Sequence, residues 1–409
     1  MVNLFLGYFF VDPSREMFSF PLPFLGRPLL WYGFLFAFGF FVAYFILIYL
    51  LRRYFLRFPK VEEKDILDFH GLIYSLKNPH DKTGERCKEV LFSQIGKKRS
   101  EFYLQSKLPS VIPAEVKKEL IQALNHMIQG EEFSLQKNFP FSNYLERFFS
   151  ADHKRQAANR FSLEESFPGV FITTKLRAKT FAEKLSLYVM VGAVVGARLG
   201  DVFFYQNWKF YLVNPLSIIK TWEGGLASHG GVIGILLALT LFYQRIKSQE
   251  KEIKWIDLVD FCVIPTAFAA AFIRIGNFMN QEILGTVTTL PWGVVFGHPV
   301  DGQAGTIRHP VQIYEALFYF TVGITLFALW KKKAWFLERG RLSGVFLVAV
   351  FGFRFFIEFL KEEQSVWLST SSFLDMGQCL SIPCILLGCY LLFRKKALFQ
   401  KLSLKRNER

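Results

Sequence analysis

Ionisable side chains inside apolar runs are costly, so they are the first place to look for chemistry. The densest group in this chain is Arg274-Ile-Gly-Asn277-Phe-Met-Asn280-Gln-Glu282-Ile-Leu-Gly285. On a helix Arg274 and Asn277 share a face, as do Asn277 and Asn280. A guanidinium presents a planar fork of donors suited to phosphate oxygens. Asparagine adds neutral donors and acceptors. The alternative is a set of polar helix-end groups bonding one another. Arg354 and Glu358, spaced i and i+4, are expected to pair on one helical face. Such a pair either neutralises itself or lets Glu358 orient Arg354 while a free edge of the guanidinium faces an anion. His229 stands in Ser228-His229-Gly230-Gly231-Val-Ile-Gly234. Histidine titrates near neutral pH and suits proton transfer. The glycines beside it would let a substrate or another helix come close. Arg198 and Asp201, spaced i and i+3, can neutralise each other. His309-Pro-Val-Gln312-Ile-Tyr314-Glu315 and the phenol of Tyr32 complete the set.

These groups need a frame, and composition supplies it. Of 409 residues, 52% are hydrophobic and only 20% charged, with mean hydropathy +0.25. A soluble domain carries about 25% charge. The apolar residues gather in runs, and runs of roughly 18 or more can cross a bilayer as helices. About seven spans are expected: Trp31–Leu51, Leu185–Tyr205, Leu226–Tyr243, Ile256–Ile275, Ile313–Trp330, Ser343–Leu360 and Met376–Phe393. The fold class expected is therefore an all-α polytopic membrane protein. The net charge of +15 does not point to nucleic acid, because Lys and Arg fall beside the apolar runs in the positive-inside pattern. The five cysteines form no CxxC pair and read as small buried hydrophobes.

The connecting segments alternate in charge. Arg52, Arg53 and Arg57 follow the first span, and Arg245, Lys247, Lys251 and Lys254 follow the third. Lys331, Lys332, Lys333, Arg339 and Arg341 follow the fifth, and Arg394, Lys395 and Lys396 open the tail. The other segments are poor in basic residues: Arg15 and Arg27, then Lys209 and Lys220, then Arg308, then Lys361. Basic loops mark the cytoplasmic side. The N-terminus is then outside and the C-terminus inside. Tyr32, His229, Asn277, Glu282 and His309 converge toward the outer leaflet, with Arg354 deeper.

Four regions follow: 1–52 with the first span; a polar cytoplasmic insert, 53–183, mostly helical; a bundle, 184–394, with an outer-face arm at about 283–311; and a basic tail, 395–409. Within the insert, Val116, Leu120, Leu124 and Met127 fall on one face of a helix over Pro113–Ile128. His70, His80, His126 and His153 show no metal-ligand spacing. No internal repeat links the spans, which argues against an inverted-repeat transporter.

The motifs, taken in order, resemble the prolipoprotein diacylglyceryl transferase family. The likeness rests on Arg27-Pro…Trp31-Tyr32-Gly33, Gly196-Ala-Arg198-Leu-Gly200, His229-Gly-Gly-Val-Ile-Gly234, the Arg274–Gly285 string, Arg308-His-Pro-Val-Gln-Ile-Tyr-Glu315, Arg354-Phe-Phe-Ile-Glu358 and Met376-Gly-Gln-Cys-Leu-Ser-Ile-Pro383. The chain departs from the family pattern at Ile273, Ala197 and Ser228, and the insert is unusual for it. The resemblance implies a seven-helix enzyme of the bacterial inner membrane. It implies phosphatidylglycerol as donor, the lipobox cysteine of a prolipoprotein signal peptide as acceptor, glycerol phosphate as leaving product, and no metal or organic cofactor. It maps the family's key residues onto Tyr32, His229, Arg274, Asn277, Glu282, Gly285, Arg354 and Glu358.

The chemistry expected is displacement at a glyceryl carbon by a thiolate, the nucleophilic form of cysteine. His229 would take or orient the thiol proton. Arg274 and Arg354 would stabilise charge growing on the phosphate. Tyr32, Asn277, Glu282 and Gly285 would bind the lipid, with Glu358 holding Arg354. The rival from another class is a multi-pass transporter of an anionic solute, which would also use intramembrane arginines. A metal-dependent phosphatidyltransferase is disfavoured by the lack of paired aspartate motifs.

Overall fold

The computed structural model describes residues 2–5, 8–18, 20, 28–96, 101, 112–130, 151–204, 211, 213–218, 227–332, 338–362 and 376–394. Arg27, Tyr205, Lys209, Lys220, Leu226, Lys333 and the tail 395–409, all used above, lie outside the described residues. The chain forms two compact units, one of residues 1–47 with 253–409 and one of residues 48–252.

Helix α1, Trp31–Phe55, is apolar on every side until Arg52 and Arg53 in its last turn. That pattern suits a helix whose outer face meets lipid rather than water. In the second unit, α2 (Phe69–Lys77) and α3 (Lys82–Ile95) start at aspartate caps. Asp68 Oδ1 accepts from Gly71 N at 2.9 Å, and Asp81 Oδ1 from Gly84 N at 2.7 Å. Each cap satisfies a helix N–H that has no partner within the helix. Helices α4 (Ala114–Gln129) and α5 (Ala151–Ser166) complete the insert. Val116, Leu120, Leu124 and Met127 are all buried, as their spacing predicts, against Leu72, Leu76, Leu91 and Leu163. The insert thus has a hydrophobic core of its own. Cys87 belongs to that core, and burial pushes its thiol up. None of the five cysteines is in a disulfide; against the expectation of burial, Cys379 is exposed and Cys262, Cys384 and Cys389 are only partly buried.

The second span starts earlier than hydropathy suggests. Helix α6 runs Thr174–Phe204, and its polar first turns are anchored in the insert. Glu164 Oε2 accepts from Thr174 N at 2.9 Å. Arg160 pairs with Glu164 at 3.0 Å and with Asp65 at 3.5 Å, and Arg177 reaches Asp65 at 3.4 Å and also pairs with Glu250. The side chains of Arg160, Glu164 and Asp65 are 8%, 5% and 3% exposed. Removing one partner of a buried network strands the others. Arg160→Ala is therefore expected to lower stability by about 3–5 kcal/mol. Glu165→Ala, an exposed change on the same helix, should stay within about 0.5 kcal/mol. Thermal unfolding of both variants decides.

Helix α7, Ser228–Ile246, lies along α6. A Cβ on Gly196 would overlap the carbonyl oxygen of Gly230, one on Gly230 that of Gly196, and one on Gly234 that of Gly192. The two backbones therefore touch, as small residues four apart allow in membranes. Of the two uses foreseen for the glycines next to His229, the approach of another helix is the one observed.

In the first unit α1 is joined by α8 (Trp255–Met279), α9 (Val311–Lys332), α10 (Arg341–Ile357) and α11 (Met376–Phe393). Helix α8 packs along α9, and α10 along α11. Buried Asp260 of α8 accepts from Gly340 N, Ser343 N and Ser343 Oγ, capping α10 from the side. Among the described residues six helices are long and apolar enough to cross a membrane, and Gly377–Phe393 is a shorter apolar helix. The chain is an all-helical polytopic membrane protein, with one addition. Short strands β1 (Val2–Phe5), β2 (Tyr8–Val11), β3 (Val294–Phe296) and β4 (Ile307–Arg308) form a sheet in that order. The β2–β3 pairing is parallel and the outer two are antiparallel. Apolar runs this short do not distinguish strand from helix.

Candidate active site

The last turns of α8 deliver Arg274 and Asn277 on one face. Arg274 donates to Asn277 Oδ1 at 3.2 Å, and Asn277 Nδ2 donates to Glu282 Oε1 at 2.6 Å. The amide thus links guanidinium to carboxylate and fixes both. Behind Arg274 lies Glu315 of α9, with a side chain 0% exposed. Arg274 Nε stands 3.0 Å from Glu315 Oε2, an ion-pair distance off the hydrogen-bond axis. On its other oxygen Glu315 accepts from Lys361 Nζ at 2.9 Å and from Tyr319 Oη at 3.4 Å. Lys361 in turn lies 3.4 Å from Glu358 Oε2. Glu282, Asn277, Arg274, Glu315, Lys361 and Glu358 therefore form one chain of alternating donors and acceptors. At low local dielectric such a chain is stiff, and each missing member costs more than it would in water.

Backbone pairing holds the chain in place. Gly285 and Lys361 form an antiparallel bridge, with Thr286 N donating to Leu360 O at 2.9 Å and Glu362 N to Leu284 O at 3.1 Å. A Cβ on Gly285 would overlap the carbonyl oxygen of His309, so only glycine fits that crossing. Arg308 is fully buried beneath it. Its guanidinium donates to Gly285 O, Asp301 and Gln303, and pairs with Glu362 at 2.5 Å. Gln312 Nε2 donates to Glu282 O at 2.7 Å. The ring of Tyr32 packs against Gly276, where an added Cβ would lie 3.0 Å from Tyr32 Cδ2.

The structure thus gathers Tyr32, Arg274, Asn277, Glu282, Gly285 and Glu358. Arg354 lies within electrostatic reach of Tyr319, as does Arg274. One expectation is corrected. Arg354 and Glu358 do not pair. Helix α10 ends at Ile357, and Glu358–Leu360 winds as a 3₁₀ turn. Three residues per turn bring i and i+3 into line, so Glu358 meets Lys361 instead. Its carboxylate also rests against Gly377 in the first turn of α11, where helix N–H groups favour an anion. The guanidinium of Arg354 makes no hydrogen bond or ion pair with any described residue.

Two other candidates lie in the second unit. His229 is half-buried at the second position of α7. Arg198 sits 3.6 Å from Asp201 and also donates to the carbonyls of Ile218 at 2.9 Å and Ser217 at 2.6 Å. That is a bracing role. Sequence reasoning placed Glu315 and Gln312 in a motif but gave them no task, and it read Lys361 only as a loop charge. The usable signal at Glu315 was a carboxylate one turn inside an apolar run.

A profile of the prolipoprotein diacylglyceryl transferase family matches residues 168–394. A phosphatidylglycerol–prolipoprotein diacylglyceryl transferase of Protochlamydia amoebophila is 36% identical over 392 residues, 96% of either chain. The enzyme of the same name from Porphyromonas gingivalis is 46% identical over 241 residues, 56% of this chain and 83% of the relative. That of Chlamydia pneumoniae is 42% identical over 219 residues, 54% of this chain and 76% of the relative. On the profile match and the near full-length relative, the chain belongs to the prolipoprotein diacylglyceryl transferase family.

Proposed function

We propose that this transferase moves the diacylglyceryl group of phosphatidylglycerol onto the thiol of a lipobox cysteine in a prolipoprotein signal peptide. The names of the relatives supply the two substrates. The observation that carries the reading is Arg354, whose guanidinium has no hydrogen-bond or ion-pair partner among the described residues and which lies within electrostatic reach of Tyr319, as does an Arg274 already fixed by Glu315 and Asn277. One guanidinium is pinned and the other is left for an anion.

In the step proposed, the thiol first loses its proton. The sulfur then attacks the glyceryl carbon that bears the phosphate. A C–S bond forms as the C–O bond breaks, and the electron pair leaves with the phosphate oxygen. The products are a thioether and glycerol phosphate. Arg274 and Arg354 stabilise the charge growing on that oxygen, worth far more here than in water. Tyr32, Asn277 and Glu282 position the headgroup. Gly285 keeps the backbone crossing open, and Glu358 anchors Lys361 against Glu315. His229 is assigned the thiol proton, because an imidazole suits proton transfer and because of the family motif around it.

We place the protein in the inner membrane of a bacterium, N-terminus out and C-terminus in, with insert 53–183 in the cytoplasm and the site toward the outer leaflet. Charge alternation supports this. A reporter near Gly302 should read outside and one after Arg394 should read cytoplasmic. Both on one side would overturn the arrangement. The function itself is tested with purified protein, phosphatidylglycerol and a lipobox peptide. Mass spectrometry should show the peptide gaining a diacylglyceryl group with release of glycerol phosphate. Uptake of an anion into vesicles with no modified peptide would favour the transporter reading.

A further inference from the structure

Glu282 sits between two residues in an unusual conformation. Gln281 and Ile283 have φ of 54° and 57°, and among the described residues they are the two non-glycine residues with positive φ. Left-handed backbone is unfavourable for L-residues, and most so for a β-branched one such as isoleucine. Such conformations persist only where the surroundings over-determine them. Something must therefore hold this turn.

The surroundings of Gln281 do so. The residue is 1% exposed, and both ends of its amide are used. Nε2 donates to Asp12 Oδ1 at 3.0 Å, and Oε1 accepts from His298 N at 2.7 Å. The clasp closes on itself, because His298 Nδ1 lies 2.8 Å from the same Asp12 oxygen. Main chain adds to it: Val300 N donates to Gln281 O at 3.1 Å. The sheet explains how Asp12 arrives. Parallel pairing sets Val11 opposite Phe296, so the next residues, Asp12 and Gly297, fall side by side. Gly297 N donates to Val11 O at 3.1 Å, and a Cβ on Gly297 would overlap the Asp12 carboxylate. The hydrogen bond with His298 is the largest influence holding the Asp12 carboxyl below its usual value. Among the described residues, the side chains of Gln281, Asp12 and His298 make no hydrogen bond to the charged chain of the site. Gln281 joins it through the backbone of Glu282, the next residue.

We propose that Gln281 is a positioning residue, clasped by Asp12 and His298 so that the left-handed turn it occupies aims the Glu282 carboxylate at Asn277. The small sheet is then part of the catalytic apparatus, since its register delivers Asp12. The inference rests on the reading that Glu282 serves lipid binding. It also makes the role of the clasp conditional. Glycine adopts positive φ without strain, so a glycine at 281 would not need the clasp at all.

That condition gives the test. Full-length variants are purified and assayed with phosphatidylglycerol and a lipobox peptide, with melting temperature measured on the same preparations. Gln281→Ala keeps the strained conformation and loses the clasp. Its kcat/KM for phosphatidylglycerol should fall at least about tenfold, as small displacements of a positioning group do, while KM for the peptide is unchanged. Gln281→Gly should come within about twofold of the parent. Asp12→Ala should match the Gln281→Ala loss in the parent and be silent in the Gln281→Gly background. A purely structural contact would instead lower melting temperature equally in both backgrounds and spare the kinetics. That result, or a glycine variant as poor as the alanine one, overturns the inference. If Gln281→Ala fails to fold, the two Asp12→Ala comparisons still decide. Glu282→Ala separates the layers. Full activity there would refute the role given to Glu282 itself, whereas a large loss there with silent clasp variants would refute only the clasp.

Discussion

Arg354→Lys is expected to leave a folded protein that has lost most of its turnover, by about 10²–10³-fold, the scale seen when one preorganised donor to a developing charge is removed. Lysine keeps the charge but not the planar fork. The comparison is clean because the Arg354 guanidinium has no ion-pair or hydrogen-bond partner among the described residues. No buried partner is stranded by the change, so stability should move by no more than about 0.5 kcal/mol. Glu358→Gln should behave differently. Its carboxylate bonds Lys361 rather than Arg354, so it should weaken the anchoring of Glu315 and give a milder loss. Thermal stability measured beside diacylglyceryl transfer distinguishes the cases. Parental turnover in a folded Arg354→Lys protein would remove Arg354 from the chemistry.

Glu315→Ala should produce the largest loss of stability in the first unit. Glu315 is 0% exposed, and it faces both Arg274 and Lys361, the latter 6% exposed. Deleting the carboxylate leaves two cations without their shared counter-charge, at a cost of about 3–5 kcal/mol. Glu315→Gln retains an acceptor for Lys361 and should cost less. The revealing variant pairs Glu315→Leu with Lys361→Met. The second change removes one of the two stranded cations but leaves Arg274 without its counter-charge, so stability should return only in part. Activity should not, because Arg274 has lost its anchor. Recovery of both together would show that Glu315 serves folding alone.

Most of the frame was legible because it depends on local rules. Spans follow from apolar length, the face of α4 from 3.6-residue spacing, and the Arg274–Asn277 contact from i,i+3 geometry. Legibility failed where the chain leaves regular structure. Helix α8 ends at Met279, and the turn beyond it swings Glu282 back onto Asn277, which helical spacing cannot forecast. The switch to 3₁₀ winding at Glu358 moved its partner from Arg354 to Lys361. Long-range partners were silent for a different reason. Lys361 and Glu315 are 46 residues apart, and Gln281 and Asp12 are 269 apart. Nothing in the spacing of one residue names a partner at that distance. The early start of α6 was hidden because its first turns are polar and gain their burial from the insert.

The touching backbones of α6 and α7 bear on how mutational surveys of this enzyme should be read. At Gly196, Gly230 and Gly234 even a methyl group has nowhere to go, so the tolerated alphabet shrinks to a single letter. A viability screen would show these positions as depleted as Arg274 or Arg354, and ranking by depletion would file them as catalytic. Protein abundance in the membrane tells them apart. Alanine at the seam should remove the protein, while lysine at Arg354 should leave it present and idle.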